Sequence, residues 1–187
     1  MFRYKIPFLL LLLVGCARNL AEQLISSDEE IRQAALSKLE AAEISTRREI
    51  IPFLVERLSH ENGNVRRRVV QALSRLDSDA VNPLVKALQS GSPRARAGAA
   101  EALGLLGAAA KSAAGPLVEA EQDKDGDVRL WAAVSLSRVK AAMSPAELNF
   151  FRLLYGKKEV VSSKSTLKDA LLPACNSFCY GQVESPY

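Results

Sequence analysis

Three cysteines, one histidine and a ladder of arginines carry most of the reactive chemistry in this chain. Cys16 closes an apolar N-terminal run, and Cys175 and Cys179 stand four apart near the C-terminus. His60 is the sole histidine, so metal sites and triads that need two histidines within one chain are excluded. In an oxidising compartment Cys175 and Cys179 are expected to close a small disulfide loop. Its stabilisation is modest because the loop is short. Gly104-x-x-Gly107 lacks a third glycine and sits at a helix end rather than after a strand, so it does not read as a nucleotide loop. His60 lies in a polar turn and gives no reason to propose a triad. No catalytic residue, no metal and no cofactor is expected.

The arginines recur with a period. Arg32, Arg66, Arg96 and Arg129 each follow a small apolar register residue: Ile31, Val65, Ala95 and Val128, at steps of 34, 30 and 33. Eleven residues upstream of each stands a leucine: Leu20, Leu54, Leu84 and Leu117. Three of these have a second leucine four residues on, at Leu24, Leu58 and Leu88; the fourth has Glu121. A constant offset between two periodic segments predicts a helix, a turn and a second helix, repeated in tandem.

Turn chemistry separates the segments. Ser27-Asp28-Glu29-Glu30 and Ser144-Pro145-Ala146-Glu147 read as capping boxes. Asn62-Gly63-Asn64 and Asp125-Gly126-Asp127 break the chain before Val65 and Val128, and Ser92-Pro93 supplies an N-cap and an N1 proline. Asp77-Ser78-Asp79 and Gly107 end second helices. Along each second helix the core positions fall at offsets 0, 4, 7, 8 and 11 from the register residue. In the second copy these are Val65, Val69, Ala72, Leu73 and Leu76. One helix cannot bury such a stripe alone, whereas stacked copies bury it continuously.

The motif Pro83-Leu84-Val85-Lys86-Ala87-Leu88, with Val128-Arg129-Leu130-Trp131-Ala132, resembles HEAT repeats of the short class first associated with phycobilin lyases. The resemblance covers about Leu20 to Leu154. It departs in repeat one, which lacks the proline and has Lys38 at a core offset, and in repeat two, where Pro52 comes one place early. It implies an all-α fold: a right-handed α-solenoid of about four helix pairs, in units near 17–46, 47–78, 79–108 and 109–142. A capping half-repeat is expected at 144–155, and a tail follows over 156–187. In the tail, Thr166 to Leu172 reads as a short helix stopped by Pro173.

The N-terminus reads as an address. Arg3 and Lys5 form a basic start, and Ile6 to Val14 is a nine-residue apolar run, far shorter than the roughly 20 residues that span a bilayer. Leu13-Val14-Gly15-Cys16 resembles the bacterial lipobox. That resemblance implies cleavage after Gly15, a diacylglycerol thioether on Cys16 and acylation (palmitate-type chains) of the new amino group, so residues 1–15 are the lipoprotein signal peptide. Two or three chains give the stable membrane anchoring that one cannot. Ala17 follows the cysteine where an inner-membrane retention signal has Asp, so the outer membrane facing the periplasm is favoured over the inner. Without Arg3 and Lys5 the chain has 23 basic against 21 acidic residues. That balance argues against a nucleic-acid partner.

Offsets 2, 6 and 9 of the second helices point away from the core. They read Gln33, Ser37, Glu40; Arg67, Gln71, Ser74; Ala97, Glu101, Gly104; and Leu130, Val134, Ser137. In HEAT solenoids this face lines the concave groove, so Arg67, Gln71, Ser74, Glu101, Leu130, Trp131 and Val134 are the expected groove for a protein partner. Leu130, Trp131 and Val134 are apolar where water is expected: either the capping helix or tail covers them, or they anchor the partner. The four arginines either brace the stack through an acid or carbonyl of a neighbouring turn or form an anion-binding strip. The expected function is a membrane-anchored, non-catalytic protein–protein interaction scaffold of the bacterial cell envelope. The alternative, by family analogy alone, is a lyase-like or chaperone-like accessory to a cofactor-bearing protein.

Overall fold

A computed structural model describes residues 17–159. The signal peptide, Cys16, the Thr166–Leu172 segment, Cys175 and Cys179 lie outside the described residues. All regular structure among the described residues is helical. Residues up to Met143 form one compact unit and Ser144 onward a second.

The first unit is an α-solenoid of four helix pairs. Residues 17–24 (α1) pair with Glu29–Ala41 (α2), and Ile44–Arg57 (α3) with Gly63–Leu73 (α4). Val81–Ser90 (α5) pairs with Pro93–Leu106 (α6), and Ala114–Ala120 (α7) with Gly126–Ala141 (α8). Short 3-10 turns, Asp77–Ala80 and Gly107–Ala113, lead into α5 and α7. First helices contact first helices (α3 to α5, α5 to α7), and second helices contact second helices (α4 to α6, α6 to α8). The result is two layers with the core between them.

Three of the four upstream leucines form that core, and Leu20 is half-buried. Leu54, Leu84 and Leu117 are fully buried, as are Leu24 and Leu58, and Leu88 nearly so. The second-helix offsets are buried throughout copies three and four, from Ala95 to Leu106 and from Val128 to Val139. Copy one departs: Ile31 is 45 % exposed and Lys38 is exposed. The reason lies in direction. A Cβ on Gly98 (offset 3) would meet Leu58 of the pair before it, and Ser135 (offset 7) meets Gly104 of the pair before it. Offsets 0, 3 and 7 thus face the preceding unit, and no described unit precedes α2.

Other expectations shift locally. The cap of α2 is Asp28 rather than Ser27; its carboxylate accepts from the Glu30 and Ile31 amides, the N2 and N3 donors a cap must satisfy. Ser27 is left exposed. Pro52 sits inside α3 because that first helix starts about two turns earlier than α5 or α7, whose corresponding residues form the 3-10 turns. In α5 and α7 the prolines fall in the first turn, where a missing N–H costs nothing. In the second unit Pro145–Glu159 (α9) runs past Tyr155, with Gly156 inside it. Its start is a reciprocal capping box: the Ser144 amide donates to Glu147 Oε2 (2.7 Å) and the Glu147 amide to Ser144 Oγ (3.3 Å).

Gly104 corrects the groove assignment. It is buried, not exposed, because α8 crosses α6 on top of it: an added Cβ would lie 2.3 Å from Ser135 Oγ and 2.9 Å from Ser135 Cα. The buried Ser135 hydroxyl has no hydrogen-bond partner. Gly107 is different. Its φ of 52° with ψ of −111° is reserved for glycine, yet open space surrounds the missing Cβ. Gly104→Ala is therefore expected to destabilise by about 1–3 kcal/mol through overpacking. Ser135→Ala should stabilise by about 1 kcal/mol. The double variant should remain below wild type, because the α8 backbone at position 135 still blocks the new methyl. Thermal melts of the three proteins check this; a double variant as stable as Ser135→Ala would mean the helices simply move apart.

Candidate functional site

Each pair is closed by the same device at the turn between its helices. The cap stands three residues before the register residue in every copy: Asp28, Asn62, Ser92 and Asp125. All four accept amide bonds from the first turn of the second helix. Five residues before the register residue, Ser26 Oγ, His60 Nδ1 and Asp123 Oδ1 each accept the amide two residues on, at 3.1, 3.0 and 2.8 Å. The single histidine is thus a turn former.

The register arginines bind the same turns. Arg32 donates to the Ser26 carbonyl (2.7 Å), Arg66 to His60 and Glu61 (both 2.7 Å), Arg96 to Gly91 (3.0 Å), and Arg129 to Asp123 (2.9 Å) and Lys124 (3.1 Å). These carbonyls stand four and five residues before the register residue; Arg32 also reaches the Asp28 carbonyl, three before it, at 3.4 Å. Arg32 also pairs with Glu29. Arg96 alone among the four reaches another pair: Nε and Nη2 grip both Asp123 oxygens at 2.8 and 2.7 Å, with the two side chains 10 % and 15 % exposed. Asp123 is the knot of this seam. Its carboxylate holds Arg96 and its own turn, and its carbonyl holds Arg129. The Arg96 hydrogen bond keeps the Asp123 carboxyl below its ordinary range, against the opposing pull of burial.

The outward face of the second helices changes character along the stack. Gln33, Ser37, Glu40, Arg67 and Gln71 are exposed; Ser74, Ala97, Glu101, Leu130, Trp131 and Val134 are half-buried. Arg75, just past α4, pairs with Glu40 of α2 at 3.0 Å. Burial raises the Glu101 carboxyl on α6, opposed by Arg67 on α4 and Arg138 on α8, with Arg66 behind them. Leu105 adds 46 % exposed apolar surface beside it in sequence register with Arg75 and Arg138. Trp131 stands at offset 3, shared with Arg68 and Gly98. Arg68 donates to the Ile25 carbonyl and Gly98 meets Leu58, so this position faces the preceding pair rather than the groove. Sequence reasoning missed Asp123 and Leu105. The repeated carbonyl positions could not have been seen, but an acid at Asp123 where other copies have Ser26, His60 and Ser90 was a visible irregularity.

Among the described residues, no group of three or more His, Cys, Asp or Glu side chains could hold a metal ion. Among them, no helix is long and apolar enough to cross a membrane.

A family model described as HEAT repeats matches residues 17–104 and again 81–163. The chain is similar to an engineered protein of known crystal structure at 20 % identity, over 80 % of this chain and 73 % of that one, with a TM-score of 0.43. It is also similar to a designed armadillo repeat protein in complex with the peptide (KR)4, at 18 % identity over 84 % and 79 %, with a TM-score of 0.44. No curated protein matches the chain.

The clasp predicts an order of losses. Arg66→Ala gives up bonds within one turn and should cost about 1 kcal/mol. Arg96→Ala leaves Asp123 half-desolvated without its partner and should cost about 3 kcal/mol or more. The acid limb identifies the carboxylate. A depressed Asp123 stabilises the fold above its unfolded value near 4 and loses that contribution as pH falls through the folded value. The gap between wild type and Asp123→Asn should therefore close in acid. Glu101, being raised, has the opposite sign: Glu101→Gln should gain stability at neutral pH and lose the advantage as pH falls. Denaturant melts from pH 7 to pH 2 test both; a pH-independent Asp123→Asn gap would refute the assignment.

Proposed function

The chain belongs to the HEAT repeat family, and from that premise we propose that it is a lipid-anchored, non-catalytic scaffold that holds another protein against the bacterial cell envelope. A repeat scaffold of this kind is suited to protein–protein interaction. The observation that carries the reading is the division of labour between the two ends of each second helix. Near its start, caps and register arginines bind the turns; further along, the outward face from the exposed Arg67 and Gln71 to the half-buried Leu130 and Val134 is the surface we assign to a partner.

The face offers two kinds of contact. Arg67, Glu101 and Arg138 give an alternating charge pattern across three neighbouring helices. Leu105, Leu130 and Val134 give apolar surface toward the later pairs. A partner segment lying across the second helices would meet charge first and apolar surface afterwards. Such surfaces bind by a few well-placed contacts rather than by area. The 30- to 34-residue step and the Pro-Leu and Val-Arg motifs support reading the units as the short, phycobilin-lyase-type class.

The anchor rests on Leu13-Val14-Gly15-Cys16. Residues 17–24 are helical, with Ala17 and Ala21 buried. Pair one would then stand at the membrane surface, and the groove would begin there. Outer-membrane placement facing the periplasm follows from Ala17 in the position after the lipidated cysteine.

Two measurements test the reading separately. Cys16→Ala is expected to abolish incorporation of labelled palmitate and to move the protein from the membrane to the soluble fraction; retained labelling would refute the anchor. Photo-crosslinkers placed at Arg67 and Leu130 in intact cells should capture one discrete partner protein, while one placed at exposed Lys86 on α5 should not. Equal capture from all three positions would refute the groove.

A further inference from the structure

Successive helices of the first unit reverse direction through short turns. Every turn between pairs therefore lies along one edge of the solenoid, and every turn within a pair along the other. Each edge gathers four helix N-termini and four C-termini, whose dipoles offset one another, so side chains set its sign. The two edges differ. Taken with four helical residues on either side of each turn, the edge between pairs comprises residues 17–20, 38–47, 70–84, 103–117 and 138–143. It carries seven basic against four acidic residues, a net +3. The edge within pairs comprises residues 21–32, 54–66, 87–96 and 117–129, and carries seven basic against eleven acidic, a net −4. Polarity differs in the same sense. In the turns within pairs every exposed residue is polar, as with Ser27, Asp28, Glu61 and Lys124. The edge between pairs exposes Ile44, at 60 % the most exposed large apolar side chain of the first unit, and also Ala108 and Ala109.

We propose that the edge between pairs lies against an anionic phospholipid surface, so that the solenoid rests along the bilayer instead of projecting from it. This rests on the lipid anchor proposed above, and the anchor selects the edge. The described part of α1 starts there with Ala17, one peptide bond after Cys16. Acyl chains at that point would hold the positive edge within the roughly 8 Å over which headgroup charge is felt at physiological salt. The negative edge is repelled by the same surface. Attraction on one side and repulsion on the other act as a torque, and both favour one orientation. Ile44 and the alanines then meet the headgroup layer, whereas the polar turns within pairs face water. The layer of second helices stands upright on the bilayer in this arrangement. Its outward face, from Arg67 to Leu130, opens sideways to a partner that is itself at the membrane.

The test uses the full-length lipidated protein in vesicles of phosphatidylethanolamine and phosphatidylglycerol that carry a trace of nitroxide-headgroup lipid. A small fluorescent amino acid replaces either Ala108 or Lys124, both exposed. These positions lie on opposite edges, about 20 Å apart along the helices. Quenching at position 108 is expected to exceed that at position 124 by at least about threefold. Exchanging phosphatidylglycerol for phosphatidylcholine should lower quenching at 108 while the protein still sediments with the vesicles, which leaves the anchor unaffected. Equal quenching at the two positions, or quenching at 108 that survives the loss of anionic lipid, would overturn the edge and leave the anchor standing. Weak quenching at both, with the protein in the vesicle pellet, would mean a solenoid standing on the end of pair one, and overturns the proposal as well. A chain that stays in the supernatant would overturn the anchor and this proposal together.

Discussion

An arginine in the first turn of a helix opposes the helix dipole, whose positive end lies there. This chain places one there four times. What offsets the cost is the turn itself. Each guanidinium takes up carbonyls at the same two positions, four or five residues before the register residue. Those carbonyls lie in the turn past the first helix and have no intrahelical partner. The arginine thus joins the end of one helix to the start of the next and fixes the angle between them. Every offset rule in the solenoid depends on that angle, because a helix rolled by one residue turns its stripe by about 100°.

The seams between pairs are not built alike. Pairs one and two meet through Arg57 with Glu22 and Arg75 with Glu40, all with substantially exposed side chains. Exposed pairs of this kind contribute little, so that seam relies on its leucines. Pairs three and four meet through glycine and alanine, with α6 and α8 in the most extensive helix contact of the chain, and through the largely buried Arg96–Asp123 clamp. Small residues let backbones approach, and the close crossing at Gly104 leaves Ser135 without room for a partner. The charged and apolar ends of the outward face follow from this difference. Where seams are loose, long polar side chains cover the surface; where they are tight, short apolar ones do.

How far the sequence could be read follows the same physics. The helix pairs and their leucines were legible because an eleven-residue offset kept through four copies leaves little freedom. The caps were legible to within one residue: Asp28 displaced Ser27 because a carboxylate can satisfy two amides at once. Gly104 was misread because periodicity gives the direction of a position, not the distance to whatever lies there. Offset 9 points outward in a lone helix, but α8 crosses so close that Ser135 Cα would lie 2.9 Å from an added Cβ. Trp131 shares offset 3 with Arg68 and Gly98, and only their contacts, not the periodicity, show that offset meeting the preceding pair.

Equivalent positions in a repeat are controls for one another, and exposure at one of them marks a missing neighbour. Ile31 is exposed where Val128 is buried, and Lys38 stands where Ala72 and Ala102 are buried. A charged residue at a stacking offset is what a solenoid end requires, because terminal repeats must present a polar outer face to water. Pair one therefore has the chemistry of an end. The fifth first helix has not. It keeps Phe150 at an offset that its predecessors bury as Leu54, Leu84 and Leu117, with no lysine put in its place. A sequence that replaced a core alanine with Lys38 at one terminus had the same remedy available at the other. Keeping large apolar groups there leaves α9 without the polar outer face that pair one has.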